Sequence, residues 1–180
     1  MDAGGGCSLS TKVRAKVAWG RFRQLLPILT NRSISFATRG YVFNACIRPV
    51  LLYGSECWAM RNEDKLRLQR NDRAMIRWIC GVKPGVRTNS NTLLNQLNIP
   101  PIESLLRARR LRWFGHVKRS EGWIKKCTEI DVEGTRGKGR PRKSWKQTIN
   151  GDLKDWNLQE TMAEDRSSWR GAIMSRTRLK

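Results

Sequence analysis

The fold is decided by the stretch Glu63-Asp64-Lys65-Leu66-Arg67-Leu68-Gln69-Arg70-Asn71-Asp72-Arg73-Ala74-Met75-Ile76-Arg77-Trp78-Ile79-Cys80-Gly81. At 100° per residue Leu68, Met75 and Ile79 fall in line, while Arg70, Arg73 and Arg77 lie on the opposite side. Acids in the first turn and a glycine after the last are the expected end signals of a helix from about Glu63 to Cys80. One face packs and the other forms a basic ridge. No stretch of the chain alternates with period two for long, so the whole reads as all-α.

Working outward, a first helix is expected from Thr11 to Leu26, with Val13, Val17, Ala18, Phe22 and Leu25 inward and Pro27 ending it. Ser33 is placed to cap a second, Ile34 to about Ile47, apolar around much of its circumference through Ile34, Phe36, Tyr41, Val42, Phe43 and Ile47, with Pro49 ending or kinking it. Beyond the central helix, Val82–Asn91 reads as a loop, Leu93–Leu97 as a short helix and Pro101–Val117 as a long one. In that long helix Ile102, Leu106, Trp113 and Val117 line up, and Arg107, Arg109, Arg110 and Arg112 crowd the remaining surface. Residues 128–143 change character. Glycines and Pro141 alternate there with Arg136, Lys138, Arg140, Arg142 and Lys143, giving a basic linker. Ser144-x-x-Gln147 and Thr161-x-x-Glu164 both match the capping box and open a small C-terminal helical hairpin, with stripes Trp145, Ile149, Leu153, Trp156 and then Trp169, Ile173. The division is a tail (1–10), a helical domain (11–127), a linker (128–143) and the hairpin (144–180).

The 180 residues carry 36 Lys+Arg against 15 Asp+Glu, a net +21, with the surplus in every third of the chain. Such a charge calls for a polyanionic partner and argues against a bulk-metabolite enzyme. No run approaches the ~20 apolar residues of a membrane span, and the N-terminus lacks a signal-peptide pattern. Five cysteines without a CxxC pair fit a reducing compartment, so a nuclear or cytoplasmic location is expected.

Candidate catalytic groups are few. The adjacent acids Glu63-Asp64 and Glu164-Asp165 fall in expected first turns, where the helix dipole accounts for them; carboxylates converging on Mg²⁺ are not seen. His116 lies near the packed stripe and reads as a core or helix-end histidine; its spacing to the cysteines matches no zinc motif. Arg136-Gly-Lys-Gly-Arg-Pro-Arg-Lys143 has two readings. It is a solvated linker tracking phosphates, or an extended segment whose arginines enter a minor groove. Of the tryptophans, Trp113, Trp145, Trp156 and Trp169 occupy packing positions. Trp123 has no stripe and is the candidate for stacking on an unpaired base.

In order, Arg48-Pro-Val-Leu-Leu-Tyr-Gly-Ser-Glu-Cys-Trp58, Met75-Ile-Arg-Trp-Ile-Cys-Gly81, Arg110-Leu-Arg-Trp-Phe-Gly-His-Val-Lys-Arg119, Gly139-Arg-Pro-Arg-Lys-Ser-Trp145 and Asp165-Arg-Ser-Ser-Trp-Arg170 form a string that resembles the C-terminal region of LINE-type (non-LTR) retrotransposon endonuclease–reverse transcriptases. The resemblance implies a thumb-like bundle and the region after it, which in that family hold the RNA template and nascent duplex and help engage target DNA. It implies a fragment. The family's aromatic-Ala-Asp-Asp palm box has no counterpart here, so its polymerase activity is not carried over, Mg²⁺ belongs only to the missing palm, and no cofactor is expected in this chain. Arg112, His116, Arg119, Arg140 and Arg170 are the motif positions that carry over, to structure or nucleic-acid contact.

The expected function is therefore binding of RNA and DNA without catalysis. The expected contacts are Arg70, Arg73, Arg77, Arg107, Arg110, Arg112, Lys118, Arg119, Trp123, Arg136, Lys138, Arg140, Arg142 and Lys143, with the missing palm domain as a further partner. The alternative is a remnant of a truncated element that acts, if at all, as a protein-interaction module. Self-association is a further expectation of the thumb reading, because a thumb without its palm leaves apolar surface open.

Overall fold

A computed structural model describes residues 7–58, 60–124, 126 and 144–177. The described residues are all-α, with no strand among them. The helices are α1 (Ser8–Gln24), α2 (Leu26–Leu29), α3 (Phe36–Cys46), α4 (Arg48–Leu51), α5 (Asn62–Ile79), α6 (Ser90–Leu97), α7 (Ile102–Arg119), α8 (Trp145–Asp155) and α9 (Arg166–Thr177). Single 3-10 turns lie at Ser55–Cys57 and Glu160–Ala163. None of the described helices is long and apolar enough to cross a membrane. The basic linker at 128–143 lies outside the described residues.

Two apolar cores are built. The first gathers Phe22, Leu29, Phe43, Ile47, Leu51, Leu68, Met75, Ile79 and Leu97, each almost fully removed from water. As the helical period requires, α5 contributes Leu68, Met75 and Ile79 to it and stops at Gly81, whose φ of +67° suits glycine. The second gathers Leu111 and Phe114 of α7 with Ile149, Leu153, Trp156, Trp169 and Ile173. Helix α7 belongs to both: Ile102 and Leu106 enter the first core, Ala108, Leu111 and Phe114 the second. The C-terminal helices thus share their core with α7.

Two glycines set how closely helices cross. A methyl group on Gly40 of α3 would overlap the Leu97 carbonyl of α6, and one on Gly115 of α7 would overlap the Trp169 indole of α9. That indole donates from Nε1 to the Leu111 carbonyl at 2.9 Å, so the α7–α9 crossing is held by a buried hydrogen bond as well as by packing.

Several local expectations are corrected. Helix α1 buries Thr11, Ala15, Ala18 and Phe22, whereas Val13 and Val17 are about half exposed. Small residues face α4 and α5 because close crossing needs them. Helix α1 also ends at Gln24, and Pro27 sits in the first turn of α2, where its missing N–H costs nothing. Ser35, not Ser33, caps α3, its Oγ accepting from the Thr38 N–H at 3.1 Å. Tyr41 of α3 is 73% exposed rather than packed. Pro49 opens α4. The Ser144–Gln147 capping box forms in full, but Thr161–Glu164 does not: that segment is a 3-10 turn, and the cap of α9 is Asp165, whose carboxylate accepts from the N–H groups of Ser167 and Ser168.

Buried charges tie the helices together. Arg48 is 1% exposed and grips Asp72 of α5 with Nε and Nη2 at 2.9 and 3.0 Å, while Nη1 donates to the Pro100 carbonyl at 2.7 Å. Burial pushes the Asp72 carboxyl up, and the Arg48 charge opposes that push. Asp64, expected only to serve the helix dipole, is buried and accepts from Thr11 Oγ1 at 3.2 Å and Cys7 Sγ at 3.3 Å. Arg39 of α3 donates to the Ile79 carbonyl at the C-terminus of α5, where a cation suits the helix dipole.

Candidate nucleic-acid interface

The surplus of cations over carboxylates is sharpened by where the carboxylates go. Asp152 of α8, 5% exposed, is held by two arginines of α7: Arg110 binds it in bidentate fashion at 2.6 and 2.9 Å, and Arg107 Nε reaches Oδ1 at 3.1 Å. Arg107 also binds Asp155 at 2.6 Å and lies over the Trp156 ring. These two arginines were expected on a nucleic-acid surface. The structure assigns them instead to the α7–α8 contact, because helix spacing puts them on the side facing α8, where two acids wait. Arg109 turns likewise toward the Leu52 carbonyl, at 3.2 Å. Lys118 pairs with Glu160 and covers Phe114.

The other side of α7 is different. Arg112, His116, Arg119 and Ser120 form one wall of an open groove of about 890 Å³, and Arg166, Arg170 and Met174 of α9 form the other, with Trp169 at the floor. The spacings are helical on both walls: i, i+4 and i+7 on α7, and i, i+4 and i+8 on α9. No carboxylate is among these lining residues. Arg112, Arg166 and Arg170 make no ion pair among the described residues. Arg119 Nη1 donates to the Ala163 carbonyl, a neutral acceptor that fixes the guanidinium without cancelling its charge beside the groove. Asp165 lies beside the groove on an adjoining hollow, engaged as the α9 cap. Partial burial pushes the Arg112 guanidinium down from its ordinary value, and the like charges of Arg109 and Arg170 add to the push. An anion placed between the walls relieves that repulsion.

His116, expected near the packed stripe, is exposed in the last turn of α7 and faces the groove, its ring centre 5.2 Å from that of Trp113. Trp113 is only half-buried. Trp123 fits its expectation of standing outside any packed stripe: it is 77% exposed, with Lys126 Nζ 5.3 Å from the ring centre. Arg70 and Arg73 are exposed on α5, but Arg77 braces the following loop, Nη2 donating to the carbonyls of Lys83 at 2.8 Å and Val86 at 3.1 Å. Arg136, Lys138, Arg140, Arg142 and Lys143 lie outside the described residues.

The sequence reading named Arg112 and Arg119, but not Arg166, as nucleic-acid contacts, carried His116 and Arg170 only as motif positions, and gave no sign that they share a groove. Four of the five motif positions, Arg112, His116, Arg119 and Arg170, meet in this one groove. The signal that could have found Arg166 is its four-residue step from Arg170.

Chemistry of other kinds finds less material. Burial pushes the Cys7 thiol up to about 11, helped by Asp64, and burial also raises Cys57 and Cys80. A raised thiol is a poor nucleophile at neutral pH. Among the described residues no three His, Cys, Asp or Glu side chains group as metal ligands. Comparison with known proteins returned no family model, no curated protein and no solved structure that matches the chain.

Proposed function

We propose that this chain is a nucleic-acid-binding module that grips phosphates in the α7–α9 groove and leaves catalysis to another protein segment. The observation that carries the reading is the groove itself: four arginines and a histidine on two helix faces, without a lining carboxylate. The pairing of buried acids with Arg48, Arg107 and Arg110 supports it, since it consumes negative charge in the interior and leaves the unpaired cations outside. The motif string supports the more specific proposal that the module is the thumb and post-thumb region of a non-LTR reverse transcriptase, holding template–primer or target DNA. In that role the groove positions a phosphate backbone and reads no sequence.

Binding of this kind is driven by counterion release. Four groove arginines, each neutralising one phosphate, give a log–log salt slope of about −3.6 on duplex DNA. Fluorescence anisotropy of the full chain with a labelled RNA–DNA hybrid and a labelled DNA duplex tests the reading. A slope at least that steep is expected; no binding at low salt, or a flat slope, overturns it.

A second reading has its own observation. Leu9, Val13 and Val17 are 59, 48 and 49% exposed at four-residue spacing along α1, an apolar stripe suited to a protein partner or a second copy. Sedimentation at high salt, where phosphate-type contacts are screened, tests it: an association that disappears on Val13→Lys supports the stripe, and a monomer counts against it.

A further inference from the structure

We infer that the groove takes an unpaired nucleic-acid strand, with its phosphates on the arginines and its bases on aromatic rings at the C-terminal end of α7. This rests on the nucleic-acid reading above and adds the class of ligand.

Three observations lead there. The first is size. A groove of about 890 Å³ falls in the range of clefts that enclose a small molecule, about 300–1,000 Å³, so a few nucleotides of one strand enter it while a rigid duplex lays only its outer phosphates across the rim. The second is length. Arg112 and Arg119 are seven residues apart on α7, about 10 Å along the axis. That covers about three base rises of 3.4 Å in a stacked strand and fewer in an extended one, whose successive phosphates stand further apart, a site of about two to four nucleotides.

The third is the rings. A phosphate-only site has no use for exposed aromatics, yet His116 stands in the groove with Trp113 behind it, and Trp123 is 77% exposed three residues after the groove-lining Ser120. Three residues span no more than about 11 Å, so Trp123 lies within a strand's reach of the groove mouth. Lys126 over the Trp123 ring adds a cation beside the platform. Arginines following a backbone and rings accepting base faces are the two parts of a sequence-tolerant single-strand site. Duplex hides its base faces and engages only the first part.

The test compares eight-nucleotide strands of dT and rU with DNA and RNA duplexes closed as G·C-rich hairpins, so that these stay paired, by anisotropy at one salt concentration, against the full chain. Both strands are expected to bind at least about five-fold tighter than the duplexes, given what stacking on one ring contributes. Trp123→Ala and His116→Ala are each expected to lower that preference several-fold. Trp123→Phe, which keeps a ring, restores it, and Tyr41→Ala, an exposed aromatic outside the groove, leaves it unaltered. Preference for either strand over the matching duplex, abolished by Trp123→Ala, supports the inference. Duplexes bound as tightly as strands, or a preference untouched by Trp123→Ala and His116→Ala, overturns it while leaving phosphate gripping intact. Failure of the broader reading looks different: Arg112→Gln with Arg170→Gln then changes neither strand nor duplex binding.

Discussion

Replacing Asp152 with alanine is the sharpest test of how the interior uses charge. Asp152 is 5% and Arg110 4% exposed, and the two share a bidentate contact at 2.6 and 2.9 Å. Removing the carboxylate strands the Arg110 guanidinium in the interior, where Nη1 already has no hydrogen-bond partner. Breaking one partner of such a buried pair costs about 3–5 kcal/mol. Arg107, the second arginine on Asp152, is partly exposed and retains Asp155, so it adds little to the loss. With an m-value of about 2 kcal/mol/M, the urea midpoint should fall by roughly 1.5–2.5 M. The companion variant replaces both partners, Asp152→Leu with Arg110→Met, and should recover most of the loss, because well-packed apolar side chains often substitute for a buried ion pair at little cost. Urea unfolding followed by tryptophan fluorescence reads both. A shift below about 0.5 M for Asp152→Ala, or a double variant worse than the single, would refute the assignment of Arg110 to structure.

Two further outcomes follow from the α7–α9 crossing. Gly115→Ala forces a methyl group into the Trp169 indole and should cost about 1–3 kcal/mol in urea unfolding, whereas Gly151→Ala, inside α8 with open space around it, should stabilise by about 0.5–1 kcal/mol. Hydrogen bonds from Ser167 and Ser168 hold the Asp165 carboxyl well below its ordinary value, so the folded state binds its proton less readily than the unfolded chain. The stability it contributes is complete above the unfolded value of about 3.9 and is lost as pH falls below it. Acid unfolding should therefore begin at higher pH in wild type than in Asp165→Asn, after normalising each to its stability at pH 7; coincident acid limbs would remove Asp165 from the account.

Much of the fold was legible because it rests on local periodicity. Leu68, Met75 and Ile79 recur at helical spacing, Gly81 supplies a stop, and Ser144 with Gln147 closes a complete cap. The face of α1 was not legible, since small residues packed at a close crossing carry a weaker hydropathy signal than the exposed valines beside them. Arginine placement was legible only in part. A helical wheel shows that Arg107, Arg110 and Arg112 cannot share one direction, but not that Asp152, more than forty residues away, claims the first two. The groove needed the same long-range information, because α9 reaches α7 through the packing of Trp169 and Ile173, more than fifty residues along the chain.

The central claim is that the unpaired arginines of α7 and α9 bind phosphates together, and it is tested most directly by the change in salt dependence when two of them are removed. Anisotropy titrations of the wild type and of Arg112→Gln with Arg170→Gln, on one DNA duplex between about 50 and 200 mM salt, give two log–log slopes. Loss of two phosphate contacts should make the slope shallower by about 1.8, so that wild type loses about 12-fold more affinity across that range than the variant does. Parallel slopes, with the variant as salt-sensitive as wild type, would contradict it.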